Sequence, residues 1–193
     1  MPSHNGRIVV ICGSMFSGKT EELIRRIRRA QIARQKVQVF KPKIDTRFVH
    51  QSVTSHNGQD FEAVPVEDSQ ELLCAIRTDT TVVGIDEAQF FDKGLTWVVG
   101  ILADVGIHVI IAGLNLDFRG EPFGPMAELM VRADEIQSLN AICMVCGEEA
   151  TRTQRLVNGE AAHYDDPIVV IGASDCYEAR CRTHHIVPGK NNS

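Results

Sequence analysis

Long apolar runs are missing from this chain. The longest, such as Ile8–Cys12 and Ile107–Ala112, fall far short of the roughly 20 residues needed to cross a bilayer. The opening residues Met1–Arg7 lack the apolar stretch and cleavage pattern of a secretory signal, so no export is expected. Without export, the six cysteines at 12, 74, 143, 146, 176 and 181 do not read as a disulfide framework, and the cytoplasm is the expected location. Positive charge is also in deficit. Twenty Lys and Arg stand against 25 Asp and Glu, a net charge of −5, which argues against a bulk electrostatic grip on nucleic acid and leaves room only for a local basic patch. There is no internal repeat. What is present is ordinary globular material: 44% hydrophobic and 23% charged residues in 193 positions, enough for one domain with a small appendage.

Short apolar runs alternate with helical patterns. Ile8–Cys12, Val37–Lys41, Val82–Asp86 and Ile107–Ala112 read as buried strands. Helical spacing covers Lys19–Gln35, Ser69–Arg77, Gly94–Val105 and Pro125–Ala133, with Leu23, Ile24, Ile27 and Ala30 on the apolar stripe of the first and Arg25, Arg26, Arg28 and Arg29 on a face read as solvated. Continuous apolar strands separated by helices predict an α/β fold with a parallel sheet covered on both faces. Residues 42–62 are polar and turn-rich, which suggests a functional flap or a disordered loop. The rhythm changes after Leu139. The expected division is a nucleotide-binding domain over 1–140, a metal-stapled lobe over 141–187 and a disordered tail over 188–193.

Gly13-Ser14-Met15-Phe16-Ser17-Gly18-Lys19-Thr20 matches the phosphate-loop pattern, with a strand before it and a helix after it. Glycines let backbone N–H groups turn around a triphosphate, and the helix N-terminus adds partial positive charge. Lys19 would reach the terminal phosphates and Thr20 would hold Mg²⁺. Val82–Ile85 ends in Asp86-Glu87. The first carboxylate suits Mg²⁺, and the second could take the proton of an attacking hydroxyl or water.

Cys143-x-x-Cys146 and Cys181-x-x-His184 are separated by 34 residues. Two tight knuckles with sulfur and nitrogen donors suit a closed tetrahedral Zn²⁺ site that staples a small lobe. His185 competes with His184 for the fourth position, and spacing favours His184; Cys176 is offset from both knuckles. Met15, Phe90, Phe91, Phe118 and Phe123 follow strand ends, where ligands of parallel sheets bind. Each is either a core residue or a surface for stacking a planar base.

Taken in order, the segments 13–20, Asp45-Thr-Arg, Asp86-Glu-Ala-Gln-Phe-Phe91, Leu114-Asn-Leu-Asp-Phe-Arg-Gly-Glu-Pro-Phe123, Cys143-Met-Val-Cys146 and Tyr177-Glu-Ala-Arg-Cys-Arg182 resemble the thymidine kinases of the bacterial and vertebrate-cytosolic type. The resemblance covers most of the chain. It implies a RecA-like P-loop sheet with a zinc-binding lasso, and transfer of the ATP γ-phosphate to the 5′-hydroxyl of thymidine and deoxyuridine. It implies Glu87 as catalytic base, Asp86 and Thr20 at the magnesium, and Ala88 and Gln89 beside them in the ATP-binding set. It also implies a thymidine site built from Met15, Asp45, Phe90, Leu114, Phe118, Phe123, Val170, Ile171, Gly172, Ala173 and Tyr177. A homotetramer and feedback inhibition by dTTP belong to the same implication, with no nucleic acid or membrane partner. Two departures stand out: Gly172-Ala173 replaces a frequent Gly-Gly, and His184 replaces a Cys found in some members.

Two other readings use the same residues. A P-loop NTPase would hydrolyse nucleotide without a nucleoside, although Asn115-Leu-Asp117 lacks the lysine of a guanine-selective motif. A zinc-knuckle nucleic-acid module would need a basic surface. Residues 147–166 instead carry Glu148, Glu149, Glu160, Asp165 and Asp166 against Arg152 and Arg155.

Overall fold

The computed structural model describes residues 6–43, 62–169 and 175–190. Its main body runs β1 (Ile8–Gly13), α1 (Lys19–Ile32), β2 (Val37–Pro42), β3 (Val64–Val66), α2 (Ser69–Cys74), β4 (Val82–Ile85), a 3₁₀ turn (Ala88–Phe90), α3 (Leu95–Asp104), β5 (His108–Gly113), α4 (Met126–Arg132) and β6 (Glu135–Leu139). All six strands join one parallel sheet in the order β3-β2-β4-β5-β1-β6.

The apolar strands alternate their side chains between two cores, as the pleat requires. Val9, Ile11, Val39, Val82, Ile110 and Ala112 meet Leu23, Ile27 and Ala30 of α1 on one face. Val10, Phe40, Val83, Ile85, Val109 and Ile111 meet Leu72, Leu95, Val98, Leu102, Met126 and Leu129 on the other. Both faces are therefore dry, which is why the strands read as unbroken apolar runs.

The helices are shorter than their sequence patterns. Helix α1 stops at Ile32, because Arg34 turns into the left-handed region at φ 61°. Its arginines are not uniformly solvated. Arg26 Nη2 donates to Glu135 at 2.7 Å and to Gln137 at 2.6 Å on β6, and its Nε donates to Glu22 at 2.9 Å. That side chain is 19% exposed and pins α1 to the sheet edge. Strands β3 and β6 carried little sequence signal. The first is a three-residue edge piece containing Pro65, tolerated where one edge needs no donor. The second alternates polar and apolar residues, as a half-solvated edge does.

Beyond Leu139 lie β7 (Ala141–Ile142), β8 (Glu149–Ala150), β9 (Arg152–Val157), β10 (Glu160–Ala161) and β11 (Asp175–Arg180). They form an antiparallel three-stranded sheet, β10-β9-β11, and a two-stranded ribbon, β7-β8. Residues 188–190, expected to begin a disordered tail, are tied down. Pro188 O accepts from Tyr164 N at 2.8 Å, and Lys190 Nζ donates to Arg119 O at 2.5 Å. One partner on the lobe, Tyr164, and one on the main body, Arg119, hold a segment whose composition alone reads as loose.

Candidate active site and metal centre

The sheet order puts β5 between β1 and β4, so the loop after β1 and the acids after β4 face one another across about two strand spacings, roughly 10 Å. Helix α1 closes that gap. It starts at Lys19 directly behind Gly18, which sits at φ 83°, and its unpaired first-turn N–H groups open onto the loop. At Gly13 (φ 156°) a Cβ would come within 2.2 Å of Leu139 O; only glycine fits under β6 there.

Within the loop, Ser17 Oγ and Lys19 Nζ each donate to Ser14 O at 2.8 Å. Phe16 is turned outward, 66% exposed, at φ 65°. Thr20 Oγ1 donates to Asp86, 3.1 Å from Oδ2, which joins the two halves of the site. Burial and then the neighbouring Glu87 charge raise the Asp86 carboxyl to about 6. Burial lowers Lys19, partly offset by Glu87 and Asp86. The site thus holds opposed charges away from water.

Glu87 itself stands at φ 52°, with its N–H donating to Asp86 Oδ1 at 2.9 Å. Gln89 was expected only as part of the ATP-binding set. Its buried side chain bridges two strand ends: Nε2 donates to Glu87 Oε2, and Oε1 accepts from Leu114 N at 2.9 Å. Ala88 is fully buried beneath it. The carboxylate of Glu87 is therefore aimed by the chain end of β5, a link no sequence spacing announces.

The expected base-binding residues divide. Phe90 and Phe123 meet edge to face at 5.4 Å between centroids and remain partly open. Leu114 and Met15 are also partly open. Phe91 is a core residue. Phe118 is 4% exposed, with the guanidinium carbons of Arg155 and Arg119 at 5.3 and 5.5 Å from its ring centre. Tyr177 lies on β11 opposite Arg155 of β9. Asp45, Val170, Ile171, Gly172 and Ala173 fall outside the described residues.

The lobe is fastened to the phosphate loop. Met15 N donates to Thr153 Oγ1 at 3.0 Å, and Ser14 Oγ to Ala150 O at 3.3 Å. Thr153 is buried on β9 and was not singled out from the sequence, where nothing distinguishes it from any strand threonine.

Cys143, Cys146, Cys181 and His184 bring one ligand atom each to within 4.8 Å of all the others. Cys143 Sγ lies 3.8 Å and Cys181 Sγ 3.1 Å from His184 Nδ1, and Cys146 Sγ lies 3.9 Å from Cys181 Sγ. A tetrahedral Zn²⁺ needs donor atoms roughly 3.5–3.8 Å apart, given bonds of about 2.3 Å to sulfur and 2.0 Å to nitrogen. The donor set fits that ion. Burial opposes ionisation of Cys143, but backbone N–H groups of Cys181, Val145 and Cys146 outweigh it and bring the thiol down to about 6. His185 is directed elsewhere, with Nε2 2.8 Å from Phe118 O. Of the two histidines, His184 is the one that shares the cluster with the three thiols.

Among the described residues, no helix is long and apolar enough to cross a membrane. Compared with known protein families, residues 6–185 match the model described as thymidine kinase.

Proposed function

The chain belongs to the thymidine kinase family, and from that premise we propose that it transfers the γ-phosphate of Mg²⁺-bound ATP to the 5′-hydroxyl of thymidine and of deoxyuridine, as a cytoplasmic salvage enzyme. The observation that carries the reading is the junction of Thr20 with Asp86 at 3.1 Å, with Glu87 held beside it by Gln89. The phosphate loop and the carboxylate read as the base meet at one end of the sheet.

In this reading the backbone of Gly13–Gly18 and the first turn of α1 cradle the β- and γ-phosphates. Lys19 leaves Ser14 O for the terminal phosphates and offsets charge there as the bridging P–O bond breaks. Thr20 and Asp86 would hold the nucleotide's Mg²⁺, which would draw charge from the phosphate oxygens. The 5′-oxygen forms the new bond to phosphorus, ADP departs with the bridging oxygen, and the hydroxyl proton passes to Glu87. A base in this role contributes about 10²–10⁴-fold. Met15, Leu114, Phe90 and Phe123 form the apolar wall for a pyrimidine and its methyl group. Tyr177, Asp45 and 170–173 complete the nucleoside site in the same reading, with Phe118 supporting it from beneath.

Zn²⁺ on Cys143, Cys146, Cys181 and His184 would close the lobe as a structural ion. The role of these side chains is to tie the β7-β8 ribbon to the end of β11, whose ladder partner β9 carries Thr153 against Met15. Tetramer formation and inhibition by dTTP follow from the resemblance, and sedimentation with and without dTTP tests both.

A nucleoside panel with Mg-ATP tests the substrate assignment. Thymidine and deoxyuridine should be phosphorylated and purine nucleosides scarcely so. Equal turnover of deoxyadenosine contradicts the pyrimidine site.

A further inference from the structure

A second cavity, of about 430 Å³, opens on the lobe side of the 114–123 loop. Arg119, Arg152, Arg182, Lys190 and His185 line it, and among the described residues no acid does. Such a concentration of one sign is unexpected in a chain of net charge −5.

Lys190 pairs with Glu121 at 3.9 Å and the Arg119 guanidinium lies over the Phe118 and Tyr164 rings, but the three arginines have no carboxylate partner among the described residues. Among the described residues, Arg152 bonds to the carbonyl and hydroxyl of Thr151, each at 3.2 Å. Arg119 Nη2 donates to a backbone carbonyl, Asp166 O, at 2.8 Å, while its Nε is buried with no hydrogen-bond partner among the described residues. Glu121, the acid paired with Lys190, also accepts from Tyr164 at 2.8 Å. Among the described residues, no carboxylate forms an ion pair with Arg119, Arg152 or Arg182. The floor is Gly120, where a Cβ would stand 3.5 Å from His185 Cε1 and 3.7 Å from Arg152 Nε. Backbone there leaves room for a ligand between the guanidinium groups.

Like charges held together in a half-buried cleft repel one another unless an anion sits among them. Guanidinium forks suit phosphate oxygens through paired, charge-assisted hydrogen bonds. Three guanidinium groups and an ammonium exceed what one phosphate needs. The concave shape suits a compact ligand over an extended strand.

We propose that this cavity is an anion site, separate from the phosphate loop, that takes a polyphosphate group of two or three phosphates. The group comes either as free inorganic polyphosphate or as the tail of a nucleoside triphosphate. The same loop carries Phe118, and β9 carries both Arg152 and Thr153, so an occupant here touches the elements that frame the candidate nucleoside site.

The test uses full-length, zinc-loaded protein carrying Lys19→Ala, which weakens the phosphate loop. Calorimetric titrations with inorganic triphosphate and with ATP are compared in that background and after adding Arg152→Gln and Arg182→Gln. Binding of one triphosphate per chain should fall at least about tenfold on losing two charged contacts, with zinc content unchanged. ATP binding that falls alongside it identifies the tail of a nucleotide as an acceptable source; ATP excluded from the site leaves the inorganic form. Lys190→Gln, outside every strand, should weaken binding several-fold and serves if the double arginine variant fails to fold. Absent binding, or affinity indifferent to these substitutions, overturns the proposal. Tighter, arginine-dependent capture of a single-stranded oligonucleotide overturns it in favour of a nucleic-acid surface.

Discussion

Replacing Asp86 by Asn should stabilise the ligand-free protein while abolishing phosphoryl transfer. Burial and the Glu87 charge raise this carboxyl from 3.8 to about 6. Each pKa unit is worth about 1.4 kcal/mol, so carrying the ionised group at neutral pH costs the fold about 3 kcal/mol. The direction follows from proton binding. Between those two pKa values the folded state holds a proton that the unfolded state has lost, so wild-type stability falls as pH rises from about 4 to about 6 and stays lowered above. Asparagine never ionises. Its carbonyl can still accept from the Glu87 N–H, and its amide can donate to the Thr20 hydroxyl. The variant should therefore match wild type near pH 4 and exceed it at pH 8 by about 3 kcal/mol, which is roughly 6–12 °C in Tm for a chain of this size. Paired thermal melts across that range, without nucleotide, provide the assay, and taking the difference cancels acid effects common to both proteins, including those on the cysteine cluster. A variant less stable than wild type at pH 8, or a difference that does not change with pH, would refute the claim that this site stores electrostatic strain.

Five further substitutions separate the parts of the site. Glu87→Gln should leave thymidine and ATP binding nearly intact and lower turnover about 10²–10⁴-fold; turnover within a few-fold of wild type removes Glu87 from the mechanism. Gln89→Leu cuts the link from Leu114 N to Glu87 and should lower kcat roughly tenfold or more through misplacement of the base. Its KM for ATP should stay close to wild type, and an equal rise in KM would mark general damage instead. Cys146→Ser should lower zinc content, Tm and thymidine affinity together while ATP binding suffers less. His184→Ala should do the same and His185→Ala should retain the metal, as metal analysis will show.

Much of this was readable from residues in order. Unbroken apolar strands announced a sheet dry on both faces, and the loop Gly13–Thr20 and Asp86-Glu87 were read as one site and do meet through Thr20 and Asp86. Local signals carried those features because each needs particular residue types at fixed spacing. The spacing of the two knuckles likewise marked the metal cluster, yet only the direction of the His185 ring, toward Phe118 O, separates it from His184. Contacts made by unremarkable residues across long sequence distances were silent. Thr153 reaches Met15 across 138 positions, and Gln89 meets Leu114 across 25. Edge strands β3 and β6 were missed for a related reason: a strand covered on one side only needs neither length nor continuous apolarity. Arg26 had the pattern of a surface residue because its partners, Glu135 and Gln137, lie on a strand that the pattern did not disclose.

The central claim is thymidine-dependent phosphoryl transfer from ATP, and product analysis tests it most directly. Purified protein with Mg-ATP and thymidine should form ADP and thymidine monophosphate in equal amounts, with ³¹P–¹H coupling placing the phosphate on the 5′-oxygen and almost no ADP formed when thymidine is left out. ADP released at the same rate with or without nucleoside, and no phosphorylated thymidine, would contradict the account and leave a phosphate-loop hydrolase in its place.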